Sequence, residues 1–82
     1  MDLVNLTEYL VKSLVENVDA VSVNQFEDEE GINLEVLVAS NDIAHVIGKS
    51  GSNANAIRTL VQAVAYNNHM PRVRINIDSK EV

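Results

Sequence analysis

The chain has no cysteine and no tryptophan, one proline, three glycines and only three aromatic residues among its 82 positions. Without cysteine there is no disulfide framework and no thiolate metal site. No run of 18 apolar residues occurs, which excludes a transmembrane helix. The start, Met1-Asp2, lacks the basic patch and apolar block of a signal peptide, so the expectation is a soluble, cytoplasmic protein. Tyr9, Phe26 and Tyr66 are too few for a row of stacking platforms. Basic residues are also scarce: six against twelve acids, for a net charge of −6. That balance argues against binding nucleic acid by bulk electrostatics.

The scarcity is uneven. Residues 1–40 carry nine acids and only Lys12, whereas residues 41–77 carry Lys49, Arg58, Arg72 and Arg74 against Asp42 alone. Two of the three glycines fall in that locally positive part, three residues apart, in Val46-Ile47-Gly48-Lys49-Ser50-Gly51. Glycines at this spacing allow a tight turn and close approach of another backbone. Lys49 adds a point charge. A helix starting after Gly51 would aim its free N–H groups and positive dipole end at the same place. Such a loop suits a sugar-phosphate backbone, and G-x-x-G is the loop by which KH domains clamp about four nucleotides.

The apolar fraction of 46% is ordinary for a folded domain. Eighty-two residues make one small domain, which buries only about 60–65% of its unfolded surface. Leu3, Leu6, Leu10 and Leu14 recur at helical spacing and predict a helix over residues 3–17, with Glu8, Lys12 and Glu16 paired on its outer face. Val21 and Val23 mark a strand over residues 20–26, and the acidic stretch Glu27 to Gly31 reads as a turn. Ile32, Leu34, Val36 and Val38 alternate in the clearest strand, residues 32–39. Ser40, Asn41 and Asp42 offer caps for a short helix from Ile43 to Ile47. Ser52 or Asn53 can cap a second helix running to Asn67, with Ile57, Leu60, Val61 and Val64 as its buried stripe. Pro71 guards its end, and Val73, Ile75 and Ile77 alternate in a last strand, leaving residues 79–82 as a frayed tail. The order is α-β-β-α-α-β, an α+β arrangement of one sheet with helices on one face.

Three segments carry a further resemblance: Leu10-Val11-Lys12-Ser13-Leu14-Val15, the Val46-Ile47-Gly48-Lys49 run and Ile57-Arg58-Thr59-Leu60-Val61. Together with G-x-x-G between two helices, they resemble the type II KH fold and the small bacterial single-KH RNA-binding proteins, the KH-domain protein A family. The resemblance covers residues 1 to about 78, taken as one KH domain. It implies a three-stranded sheet with three helices on one face, and no enzymatic activity or cofactor. It also implies binding of single-stranded RNA with low specificity, as an RNA chaperone or post-transcriptional regulator tied to cell elongation and division. Implied partners are a second copy of the chain and a larger KH-containing RNA-binding protein. The clamp would fall on Gly48, Lys49, Ser50 and Gly51. Ile43, Ile47 and the strand around Val36 to Val38 would form an apolar groove. Where such proteins often carry a basic residue after the second glycine, this chain has Ser52 and Asn53.

Other readings of these residues are weaker. Lys49 alone would be an ordinary surface lysine, but its setting favours phosphate contact. Ser50 and Ser52 read as turn and cap residues with hydroxyls in reach of phosphate. For Arg58, an ion pair and an RNA contact weigh equally, and Arg72 and Arg74 read as solvated or paired with Glu35. Ile43 and Ile47 read first as core. His45 and His69 lack the convergent ligands that zinc needs, and Glu27 to Glu30 lack the alternating ligands of a calcium loop. Gly48-Lys49-Ser50 is not the end of a P-loop, because position 43 is isoleucine. The rival function is a protein-interaction or dimerisation module, with Val4, Val11 and Val15 or Ala56 and Ala63 as its surface. A Gly48→Asp, Gly51→Asp double change is expected to abolish RNA binding and leave folding intact.

Overall fold

In the computed structural model, which describes residues 2–80, the two strongest alternating segments meet as a parallel pair at the heart of a mixed sheet. The strand β2, Gly31–Ala39, lies in the centre. On one side it pairs antiparallel with β1, Ser22–Asp28, and on the other parallel with β3, Val73–Lys80. Ile32, Leu34, Val36 and Val38 are fully buried under the helices α1, Leu3–Lys12, and α3, Ser52–Asn67. The short α2, Ile43–Ile47, follows β2 and precedes the glycine loop. The α-β-β-α-α-β order and the α+β class expected from the sequence are therefore those of the molecule.

Several boundaries differ from expectation, each for a local reason. Asp2 caps α1 by accepting from the N–H groups of Val4 (3.0 Å) and Asn5 (3.2 Å). The helix ends at Lys12 instead of residue 17. Beyond it, the N–H groups of Glu16 and Asn17 donate to the carboxylate of Asp42, at 3.1 and 3.0 Å. A tertiary acceptor has replaced the next helical turn. Glu8 keeps its expected pairing with Lys12, at 2.9 Å, but Glu16 is no longer in register to share it. Asp42 does not cap the helix after it; its side chain is spent on residues 16 and 17.

The first strand is shifted by two residues, leaving only Glu29 and Glu30 between β1 and β2. Asp28 makes this possible. Its Oδ1 accepts from the N–H groups of Glu30 (2.8 Å) and Gly31 (3.2 Å), and its Oδ2 accepts from Asn33 (2.9 Å). Gly31, at φ +137°, lies so close to the backbone of Arg72 that an added Cβ would stand 2.2 Å from its carbonyl oxygen. That contact lets Ile32 N–H donate to Arg72 O at 2.7 Å and start the parallel ladder.

On α3 the buried stripe is Ala54, Ile57, Val61 and Ala65. The two alanines allow close approach to the sheet, and Leu60, expected inside, is 46% exposed. The last strand is longer than expected: Ser79 and Lys80 pair with Val38 and Ala39 and are not frayed, while residues 81 and 82 lie outside the described residues. Arg74 pairs with Glu30 and not with Glu35.

Two outcomes follow. Thr7 is fully buried in α1, and its hydroxyl has no hydrogen-bond partner among the described residues. Thr7→Val, nearly equal in shape, should therefore raise stability by about 1 kcal/mol in urea unfolding. Asp28 and Asp42 are both held below the ordinary aspartate value, first by the N–H donors of Glu30 and Asn17 respectively. Their ionised forms are thus favoured by folding. The stabilisation is present above the unfolded value of about 3.9 and is lost as pH falls through the lower folded values. Thermal unfolding followed from pH 6 to pH 2 should show this acid limb, and Asp42→Asn should flatten it.

Candidate nucleic-acid interface

The glycine loop is built by three residues with positive φ. Gly48 ends α2 at φ 75°, ψ 177°, a region open essentially to glycine alone. Its N–H donates to Ala44 O at 2.9 Å, and Gly51 N–H closes the turn onto Gly48 O at 3.2 Å. Ser50 (φ 54°, ψ 29°) and Gly51 (φ 78°, ψ 12°) are both left-handed. Among the described residues, the N–H groups of Lys49 and Ser50 meet no backbone acceptor. Successive free N–H groups in such a turn form a concavity suited to anions. Immediately after it, α3 begins with Gly51 as its N-cap and no side-chain cap.

Ser52 and Asn53 do not cap this helix. Ser52 is its exposed first residue, while Asn53 reaches back so that its Nδ2 donates to His45 O at 2.8 Å. Asn53 thereby staples the first turn of α3 to the last turn of α2 and holds the loop between them. An added Cβ on Gly48 would lie 2.7 Å from Asn53 Cγ and 2.9 Å from its backbone nitrogen, whereas at Gly51 the nearest atom is 3.7 Å away. The expectation that a Gly48→Asp change spares the fold is therefore corrected: position 48 has neither the backbone freedom nor the space.

Val46 is the residue of α2 that enters the core; Ile43 is half-buried and Ile47 is 39% exposed. Ile43 and Ile47, one turn apart, leave an apolar strip beside the loop. The expected groove wall at Val36 and Val38 is also corrected. Both are fully buried in the central strand, because pairing on both sides places β2 away from either edge. The open edge near the loop belongs to β3. Arg72 O faces β2, so by alternation the backbone groups of Val73, Ile75 and Ile77 face outward. Gln62 Nε2 donates to Val73 O (3.1 Å) and Arg58 Nε to Ile75 O (3.4 Å). Arg58 Nη1 also donates to Asn55 Oδ1 at 3.3 Å. Of its two equally weighted sequence roles, Arg58 does not take the ion pair: among the described residues its partners are a carbonyl and an amide. The outward edge at Ile77, next along the strand, meets no side-chain donor among the described residues. Periodicity alone did not identify this edge, since it marks strands but not the order in which they pair.

Charge is also arranged along the sheet. The acidic turn at residues 29 and 30 begins β2, and the segment leading to the glycine loop leaves its other end, about 26 Å away at the usual rise per residue. That exceeds the screening length of about 8–10 Å. Among the described residues the ion pairs are Lys12–Glu8 and Arg74–Glu30, so Lys49 is exposed and uncompensated.

The model of the KhpA/KhpB KH domain matches residues 4–77 of the chain. The RNA-binding protein KhpA of Caldanaerobacter subterraneus subsp. tengcongensis is 48% identical over 60 residues, covering 73% of this chain and 80% of that protein. KhpA of Borreliella burgdorferi is 44% identical over 62 residues, 76% of each chain. KhpA of Chlamydia pneumoniae is 36% identical over 73 residues, covering 89% of this chain and 90% of its own. A crystal structure of Aquifex aeolicus Era bound to GDP and aluminium fluoride superposes with a TM-score of 0.73 at 16% identity. It is covered over 95% of this chain but only 30% of Era, and at that identity the likeness is one of fold.

The two glycines should respond differently to substitution. Gly48→Ala is expected to cost about 2 kcal/mol or more, from the glycine-only backbone and the Asn53 contact. Gly51→Asn should cost no more than about 1 kcal/mol, since asparagine tolerates the left-handed region. Urea unfolding of the two variants measures the difference.

Proposed function

The chain belongs to the KhpA/KhpB family of KH domains, and from that premise we propose that it is a non-enzymatic, cytoplasmic binder of single-stranded RNA. The observation that carries the reading is the loop Gly48-Lys49-Ser50-Gly51, with its left-handed turn and, among the described residues, two N–H groups without backbone acceptors and a lysine without an ion pair. The loop N–H groups and Lys49 hold phosphates of about four nucleotides. Ile43 and Ile47 supply apolar contact to bases, and the outward backbone of β3 at Ile77 offers a donor and an acceptor to a base edge. Asn53 and Arg58 act by position: one fixes the loop, the other fixes the groove floor against β3. Ser52 presents a hydroxyl at the start of α3. With few cations in the groove, binding is modest and low in specificity, which suits an RNA chaperone or post-transcriptional regulator, including one acting in cell elongation and division.

A second reading concerns association and is compatible with the first. Between α1 and α3 lies an apolar cleft of about 250 Å³, lined by Leu10, Leu14, Ala56, Ile57 and Leu60. Leu60 is 46% exposed there, whereas Val11, expected on such a surface, is core. This face would seat a second copy of the chain, or a larger KH-containing RNA-binding protein in its place.

The clamp is tested by changing the two residues inside the glycines. Lys49→Asp, Ser50→Asp should retain the wild-type unfolding midpoint within a few degrees and lose at least tenfold in affinity for labelled single-stranded RNA, read by anisotropy. Wild-type binding should weaken with salt as roughly one to three phosphate contacts, a log–log slope between about −0.7 and −2. Unchanged affinity in the double variant would remove the clamp assignment. Leu60→Lys should lower the self-association measured by sedimentation, leaving the monomer folded.

A further inference from the structure

The outer stripe of α3 continues past the glycine-loop end of the groove. Asn55, Arg58, Gln62 and Tyr66 follow one another at helical spacing along the side of α3 that borders β3. The first three are tied to one another or to the strand: Arg58 to Asn55 and Ile75 O, Gln62 to Val73 O. Tyr66 is not. Its side chain is 80% exposed, and it stands over a groove of about 430 Å³ lined also by Gln62, Met70, Pro71 and Arg72. A tyrosine this open contributes nothing to the core and leaves its ring available.

On the RNA-binding reading above, we infer that this groove is a second subsite, which takes one further nucleobase of the same strand against the ring of Tyr66. Three observations support that occupant. The groove is continuous with the α3–β3 border and lies about 22 Å from Gly51 at the helical rise of 1.5 Å per residue, beyond the tetranucleotide that the loop holds. Its apolar lining is a ring, a thioether and a proline, which match the face of a base. Its polar groups are those a nucleotide needs. Gln62 spends its Nε2 on Val73 O and keeps its Oε1 to accept from a base amino or imino group. Arg72 supplies a cation for the phosphate. The acidic hairpin tip lies at this end, but two of its carboxylates are engaged: Glu30 by Arg74, and Asp28 by its own turn and Asn33. Glu27 and Glu29 remain to oppose the strand and set a modest ceiling on the gain. One aromatic residue at the right place suffices for one base, although three in the whole chain make no platform.

The test compares a four-nucleotide with an eight-nucleotide single-stranded RNA on wild type, Tyr66→Ala and Tyr66→Phe. Tyr66→Ala should bind the octamer about fivefold or more weakly, the low end of what stacking one base supplies. It should bind the tetramer as wild type does, and Tyr66→Phe should restore the octamer. In a Tyr9→Phe background the only tyrosine emission comes from Tyr66, and the octamer but not the tetramer should quench it. Equal octamer affinity for Tyr66→Ala and wild type overturns the subsite while leaving the loop clamp in place. A change in sedimentation with unchanged RNA affinity also overturns it, and marks the groove as a protein contact. If wild type binds neither RNA, the RNA-binding reading itself has failed, a result distinct from either.

Discussion

The parallel pairing of β2 with β3 is the constraint on which the molecule turns. Antiparallel neighbours can be joined by two residues, as Glu29 and Glu30 join β1 to β2. Parallel neighbours need a crossover of a dozen residues or more that returns the chain to its starting end. Here the crossover runs from Ser40 to Arg72 and contains α2, the glycine loop and α3. The candidate site is therefore the connection itself. Its helices are held because α3 must cover the buried face of the strands it links, and its loop sits where the chain reverses between those helices. The point of return is equally strict. Ile32 N–H can reach Arg72 O only because Gly31 has no side chain in the way.

Asp42 secures the other end of this crossover. It is 1% exposed, and two backbone N–H groups from the segment after α1 converge on its carboxylate. A charge-assisted acceptor in that position orients the start of α2 and also fixes how the N-terminal helix leaves the core. The site and the first helix are thus coupled through one side chain. Asn53 repeats the device on a smaller scale, joining α3 to α2 across the loop. Both residues read from the sequence as caps, and both have instead become bonds between elements.

The legible and the illegible parts separate along that line. Features set by local periodicity were readable: the strand Ile32-Leu34-Val36-Val38, the helix from Ser52 to Asn67, and the glycine loop between two helices. The element order followed from the same patterns, and the resemblance rested on it. Features set by three-dimensional partners were not. The end of α1 depends on Asp42, which lies 26 residues after Glu16, the first residue it binds. Leu60 looks like core at its spacing, but it lines the open cleft between α1 and α3. The resemblance implies a groove wall on β2, but the apolarity of that strand reflects its place in the middle of the sheet, where Val36 and Val38 are buried. Gln62 carried no sequence signal at all, since an exposed helical glutamine is unremarkable until the strand edge below it is known.

Gln62 and Arg58 have one more consequence. An edge strand with open backbone groups is a template onto which another chain can add. On β3 the first outward carbonyls are already occupied, at Val73 and Ile75, and the alternate side chains include Arg74 and Lys80. On the opposite edge, β1 carries Glu27 and Asp28. Both borders of the sheet therefore discourage strand addition and runaway fibrous growth. A protein copy or partner is thereby turned from strand addition toward the helical faces, while the backbone at Ile77 stays open to a ligand smaller than a strand.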